Sequence, residues 1–249
     1  MPEGDSLRRY AERLRRLEGE VVAVETPHPR GQLLRLAEKL DGKRLERVET
    51  VGKNLLLRFE GGLVLRSHLR MKGRWHLRPT TYRYVGRPWL VLRGRDWQAL
   101  QWNGPVLELS RREPGFVRRL GPDIMDVPPD LGGMVERFRA ESQARELGEA
   151  LLDQRLVAGI GNMWKAEALW HAELSPWTPV GVATDEQLRR VLRAAHDAMH
   201  GGRRRQAYRR AGLPCRRCGE LIRSRAQGED ARTAYWCPGC QGGTASASA

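Results

Sequence analysis

The chain has 249 residues, with 44 Lys and Arg against 30 Asp and Glu, giving a formal net charge of +14. That length allows one large core or two moderate ones, and a basic surplus of this size points to a polyanionic partner, nucleic acid foremost. There is no apolar run of about 18 or more residues, no signal-peptide region and no lipidation motif, which argues against membrane attachment and for a soluble cytoplasmic protein.

Met1-Pro2-Glu3-Gly4-Asp5 opens the chain. Initiator methionine is normally removed before a small residue, so the mature chain is expected to start with the secondary amine of Pro2, followed at once by a carboxylate. An α-amino group titrates near ~7.8 and a lysine near ~10.4, so at neutral pH about 300-fold more of the terminal amine is unprotonated. Such an amine can attack a sugar carbon and form an iminium, which suits covalent catalysis.

From Ser6 to Leu17 the apolar positions Leu7, Tyr10, Leu14 and Leu17 follow a helical period, with arginines filling much of the remainder. This predicts an amphipathic basic helix that anchors the N-terminus. Next, Leu55–Phe59 and Leu63–Leu65 around Glu60-Gly61-Gly62 read as a β-hairpin. Trp89–Arg93 and Val106–Leu109 read as further strands between turn residues. The first half is therefore expected to be mainly β.

Composition shifts at 126–133, where two prolines and two glycines in eight residues predict an interdomain linker. Helical patterning follows. A helix pair is expected to be interrupted at Gly159-Ile160-Gly161-Asn162, with Asn162 as the N-cap of the second helix. Two glycines before a helix start fit either a plain helix-hairpin turn or a phosphate site on backbone N–H groups. A clear helix runs from about Asp185 to His200, opened by a Thr184/Gln187 capping box. Residues 201–210 are densely basic, a solvated linker or a strip that touches phosphates. Residues 242–249 are Gly, Ser, Ala and Thr and are expected to be disordered.

All four cysteines fall in the last 35 residues, as Cys215-x2-Cys218 and Cys237-x2-Cys240. Two tight turns can bring two thiolate pairs around one tetrahedral ion, and four cysteines leave no open position for catalysis. One structural Zn2+ is the expected cofactor. Arg223, Arg225 and Arg232 lie between the pairs and give this finger positive charge.

MPEGD, VGKNLLLRF, SHLRMKGRW, FVRRLGPDIMD, LLDQRLVAGIGNMWKAEALW and ARTAYWCPGCQ occur in that order. Together they resemble the formamidopyrimidine-DNA glycosylase/endonuclease VIII family of bifunctional DNA repair enzymes, over essentially the whole chain except the tail. The resemblance implies an α+β protein of two domains: an N-terminal β-sandwich with flanking helices, then a helical domain with a helix–two-turn–helix element and a four-cysteine zinc finger. DNA would lie in the cleft between them. The expected boundaries are 1–125 for the catalytic sandwich, 126–133 for the linker, 134–210 for the helical domain, 211–241 for the finger and 242–249 for the tail.

The resemblance also implies roles. Pro2 is the nucleophile at C1′ and Glu3 the general acid for sugar ring opening, both acting on a flipped nucleotide. Lys53 holds the phosphate beside the lesion or donates a proton. Asn162 grips a backbone phosphate, and Arg232 clamps the phosphates flanking the lesion and assists δ-elimination. Arg70 and Arg119 contact DNA, and Met71 fills the gap left by the flipped base. The expected activity is base excision by a DNA glycosylase and AP lyase, on damaged DNA and as a monomer. Asp5 and Ser6 stand where many members carry a second glutamate, and a DPRRFG-like segment is not evident; with Asn103-Gly104-Pro105 in that region, the reading tilts to oxidised pyrimidines. The alternatives are an enzyme of the 8-oxoguanine/formamidopyrimidine branch, a non-catalytic zinc-ribbon DNA-binding protein, and a basic RNA-binding protein.

Overall fold

A computed structural model describes residues 2–112, 114–141, 143–202 and 204–242. The expected disorder of the tail therefore falls, from residue 243 onward, outside the described residues. The chain divides into two compact units, Met1–Arg118 and Arg119–Ala249.

In the first unit, helix α1 (Gly4–Leu14) runs into a 3-10 turn (Arg15–Leu17) and strand β1 (Val21–Glu25). Two short helices follow, α2 (Pro29–Leu33) and α3 (Leu36–Leu40). Strands β2 (Lys43–Val51), β3 (Asn54–Phe59), β4 (Leu63–His68), β5 (Arg74–Pro79), β6 (Leu90–Arg93), β7 (Trp97–Trp102) and β8 (Val106–Ser110) complete it. They form one antiparallel sequence of neighbours, β5-β7-β6-β1-β2-β3-β4-β8. Strand β1 is shared: Val21 and Val22 pair with β2, and Ala23–Glu25 pair with β6. The sheet folds over at this strand into an antiparallel sandwich. Its filling includes Phe59, Trp75, Leu57, Leu65 and Leu92, all nearly solvent-free.

Helix α1 closes this core with Leu7, Ala11 and Leu14, and the 3-10 turn adds Leu17. The expected helix thus starts two residues earlier and tightens in its last turn. The expected hairpin around Glu60-Gly61-Gly62 is present, with Phe59 opposite Leu63. Strands β1, β2, β5 and β7 were not legible. β2 alternates weakly because its outward positions hold Arg44, Glu46 and Arg47 beside half-exposed residues.

In the second unit, α4 (Leu131–Ala140), α5 (Leu147–Ala150), α6 (Asn162–Ala172) and α7 (Asp185–Gly201) precede hairpin β9 (Arg223–Gln227) and β10 (Arg232–Trp236), then α8 (Pro238–Gln241). Gly132 and Gly133, read as linker, lie in the first turn of α4, where the Asp130 carboxylate accepts the Gly133 N–H at 2.9 Å. The expected helix before Gly159 shortens to α5. Downstream of it the Asp153 carboxylate accepts the Arg155 N–H and the Gln154 side chain accepts the Gly159 N–H, so side chains compete with the helical ladder. Helix α7 starts with the expected reciprocal Thr184/Gln187 capping box. Among the described residues no helix is long and apolar enough to cross a membrane.

No residue of helix α6 is exposed. Trp164, Ala168, Leu169 and Ala172 pack into the helical core, whereas Ala166 and Trp170 pack against Cys215, Ile222 and Cys237 of the finger. Its buried Glu167 accepts backbone N–H bonds from Gln206 (2.7 Å), Ala207 (3.0 Å) and Tyr208 (2.8 Å). Replacing Glu167 with Ala strands three amide donors and is expected to cost about 3 kcal/mol. Glu167→Gln keeps one acceptor oxygen and should cost less. Urea unfolding tests this; equal midpoints for wild type and Glu167→Ala would show that these bonds carry no stability.

Candidate active site and metal centre

Pro2 and Glu3 stand immediately before α1. Pro2 is half-buried, and Glu3 is fully buried as the helix N-cap, its carbonyl accepting the Ser6 and Leu7 N–H groups at 2.9 and 3.1 Å. Asp5 is also buried, and its carboxylate takes Arg9 at 2.8 Å and the Ser6 hydroxyl at 3.4 Å. The helix dipole favours such carboxylates in a first turn. Helix α1 packs on β2, β3 and β5, so the first residues are held against the sheet.

Lys53 occupies the two-residue turn Gly52-Lys53 that joins β2 to β3, with Val51 opposite Asn54. Gly52 has φ +58°, and glycine at the first position is what a tight turn compatible with strand twist requires. Asn54 closes this turn from within. Its Nδ2 donates to the Val51 carbonyl at 3.2 Å, and its Oδ1 accepts Arg66 Nε at 2.9 Å. Arg66 is braced in turn by Glu108 at 2.8 Å and by the Phe116 ring at 4.0 Å.

The turn between β4 and β5 carries Arg70 and Met71. Arg70 adopts φ +44° and donates its N–H to His68 Nδ1 at 3.2 Å; Met71 is 59% exposed. Only glycine fits at Gly73, where a Cβ would sit 2.7 Å from the Leu69 carbonyl oxygen. Burial, followed by the charges of Arg66, Lys53 and Arg70, lowers the pKa of His68 to about 4. His68 is thus a neutral acceptor inside a positive field, and the field that discharges it favours an anion at the same surface. The structure in this way brings Lys53 and Arg70 to one place.

In the second unit, Asn162 is not the N-cap of α6. Gly161 holds that position, and Asn162 is the first helical residue. Its Nδ2 donates instead to the Thr233 carbonyl at 2.9 Å, tying the start of α6 to the strand that begins with Arg232. Arg232 is exposed and pairs in register with buried Gln227. Gln227 is held by Glu146 (2.9 Å), the Pro176 carbonyl (2.8 Å) and fully buried Lys165 (3.4 Å). A cavity of about 310 Å³ lies here, walled by Arg145, Asp153, Lys165, Gln227 and Arg232 among others. Arg119 is exposed at the end of a 3-10 turn (Val117–Arg119), with no ion pair or hydrogen bond among the described residues.

Asn54, Arg66, His68, Lys165 and Gln227 escape sequence reading because their value lies in contacts between residues up to 81 positions apart. The one available signal was an asparagine directly after a Gly-Lys turn.

The four cysteine sulfurs lie within 4.8 Å of one another, Cys218 and Cys237 at 3.4 Å and Cys215 and Cys240 at 3.9 Å. A tetrahedron of thiolates around Zn2+ at ~2.3 Å has edges of about 3.8 Å, so the set fits a metal ion. Burial works against the Cys215 thiolate, yet the backbone N–H groups of Arg217 and Cys218 and the Trp170 indole, at 3.4 Å, bring its pKa down to about 6. Burial and the neighbouring thiols push Cys240 up to about 12. Four sulfurs at this spacing can all be thiolates only with a cation between them.

Two outcomes follow. His68 should titrate near pH 4 by NMR. Because the unfolded chain takes that proton near ~6.5, His68 costs stability as pH falls from about 6.5 toward 4. A midpoint near 6.5 would mean that His68 is neither buried nor held beside the basic cluster. Cys237→Ser should lose the metal and loosen the finger; full metal content by elemental analysis with unchanged near-UV circular dichroism would contradict this.

Residues 1–103 match the formamidopyrimidine-DNA glycosylase N-terminal domain, and residues 120–208 match the formamidopyrimidine-DNA glycosylase H2TH domain. The chain is 36% identical to a probable endonuclease 8 2 of Streptomyces coelicolor, over 98% of this chain and 95% of that one. It is 34% identical to the DNA-(apurinic or apyrimidinic site) lyase Nei2 of Mycolicibacterium smegmatis, over 97% and 99%. Its fold is similar to the formamidopyrimidine-DNA glycosylase of Lactococcus lactis in complex with DNA containing an AP site, with a TM-score of 0.81 at 23% identity over 96% and 99% of the two chains.

Proposed function

Because the chain belongs to the formamidopyrimidine-DNA glycosylase family, we propose that it is a DNA glycosylase and AP lyase of base excision repair. It acts as a monomer on damaged DNA, and its preferred lesions are oxidised pyrimidines. The observation that carries the reading is the pairing of Pro2 with a fully buried Glu3 at the start of α1, because a protein that only binds DNA has no use for a carboxylate buried beside a secondary amine.

Removal of Met1 frees the Pro2 nitrogen. Its lone pair attacks C1′ of a nucleotide rotated out of the stack, and the damaged base leaves with the glycosidic electrons. The N–H proton of the attacking amine neutralises the departing base, Glu3 gives a proton to the ring oxygen as the sugar opens, and the nitrogen and C1′ become an iminium. Loss of a C2′ proton then expels the 3′ phosphate, and a second elimination expels the 5′ phosphate. The positive field of Lys53, Arg66 and Arg70 suits a phosphate held beside the first unit. Met71, exposed at its turn, fills the vacated space in the stack.

Asn162 and Arg232 address flanking phosphates from the second unit. The bond from Asn162 to the Thr233 carbonyl supports a joint role, since it fixes the strand one residue from Arg232. Arg119 adds a further phosphate contact. Cys215, Cys218, Cys237 and Cys240 hold one structural Zn2+, which when bound cross-links the two turns beneath the hairpin that carries Arg232. The fold remains α+β in two domains, a sandwich followed by a helical domain with its zinc finger.

Borohydride trapping on duplexes with an abasic site or thymine glycol tests the chemistry. Met1-free protein should form a covalent complex, and protein that retains Met1 should not. Pro2→Gly keeps an amine of another class, so turnover should fall while DNA affinity stays nearly intact; unchanged turnover would remove Pro2 as nucleophile. Glu3→Gln should lower base excision on the order of 10²-fold or more, with less effect on a preformed abasic site. Faster excision of 8-oxoguanine or formamidopyrimidines than of oxidised pyrimidines in one duplex context would overturn the lesion preference.

A further inference from the structure

The final turns of α7 carry a histidine pair for which the proposed repair chemistry has no use. His196 and His200 stand four residues apart in the segment His196-Asp197-Ala198-Met199-His200, with ring centroids 4.3 Å apart and planes tilted by 40°. Nδ1 of His196 lies 3.1 Å from Oδ1 of Asp197. With the Asp197 carboxylate as acceptor Nδ1 carries a proton, and in the uncharged tautomer Nε2 keeps its lone pair. That Nε2 is buried and has no hydrogen-bond partner among the described residues.

We propose that His196 and His200 form a site for a divalent transition-metal ion of the zinc–nickel–copper class, formed by residues distinct from the four-thiol cluster. Imidazoles at i and i+4 are the spacing with which one helix face offers two ligands to such an ion. Metal–nitrogen bonds of ~2.0–2.1 Å place the centroids of two ligating rings about 4.4–5.2 Å apart for angles near 90–110°. The observed 4.3 Å is close to that, and a small side-chain rotation closes the difference. The carboxylate on Nδ1 supplies the outer contact that orients a ligating imidazole and fixes its tautomer. The C-terminal end of α7, closed by Gly202 at φ +59°, adds the negative end of the helix dipole.

Two protein ligands leave the other positions to solvent. Asp197 is engaged by His196 and is not available as a base, so the site binds without hydrolytic chemistry of its own. A bound ion would pin the last turn of α7 just before the segment whose amides at 206–208 rest on Glu167.

Calorimetric titration of Ni2+ into full-length protein already loaded with one equivalent of zinc tests the assignment. One further equivalent should bind and selectively broaden the ring protons of His196 and His200 in NMR spectra. His200→Ala, at an exposed position, should abolish that equivalent, and Asp197→Ala should weaken it about tenfold. The zinc content of the finger and the strand-cleavage activity should stay unchanged in both variants. The proposal is overturned if wild type binds no second equivalent, or if binding survives His200→Ala. It is likewise overturned if thiolate charge-transfer absorbance shows Ni2+ entering the cysteine cluster instead.

Discussion

A helix that packs on every side must direct its polar side chains to partners within the protein, and four side chains of α6 do so. Asn162 reaches the Thr233 carbonyl, Lys165 reaches Gln227, Glu167 collects three amides, and Trp170 donates to Cys215. The second unit depends on these contacts, because they reinforce the small apolar cluster that joins α6 to the finger and fix the 206–208 segment that precedes it. The helix has apolar residues on both sides and hence no single hydrophobic stripe. Each polar contact is strong because its surroundings are dry, and each is costly to lose for the same reason.

The first unit solves a different problem. A chain end proposed to carry the nucleophile has to be rigid although chain ends normally fray. Here Glu3 is buried as the N-cap, and α1 drives Leu7, Ala11 and Leu14 into the sandwich within three turns. The opposite demand holds at the β2–β3 and β4–β5 turns, where charged side chains must face outward yet stay placed. Asn54, Arg66 and Glu108 meet it with a chain of side-chain bonds behind Lys53. His68 absorbs the resulting field by staying neutral, which leaves the positive charge available to an anion.

Features that depend on neighbours in sequence were legible. The Glu60-Gly61-Gly62 hairpin, the Thr184/Gln187 capping box and the close approach of two CxxC pairs all rest on local turn and cap chemistry. Reading failed where the expected local rule lost to a competing partner, near or distant. Asn162 has the chemistry of an N-cap, but Thr233, 71 residues away, takes its amide. Gly132 and Gly133 look like linker, yet the Asp130 cap draws them into α4. The helix expected before Gly159 ends at Ala150 because Asp153 and Gln154 offer the backbone better partners than the ladder does.

Composition, short-range spacing and ordered motifs were enough to establish the basic character, the convergence of the four cysteines, the main helices, several strands and the family. Folding had to be seen before β1 could be recognised as shared between the two halves of the sandwich, and α6 as buried on both sides. The same holds for the side chains that brace Lys53 and Arg232, and for the orphaned nitrogen that His196 presents beside His200. A hydrogen bond or a burial is a property of two surfaces brought together, and no periodicity along one stretch of sequence encodes its partner.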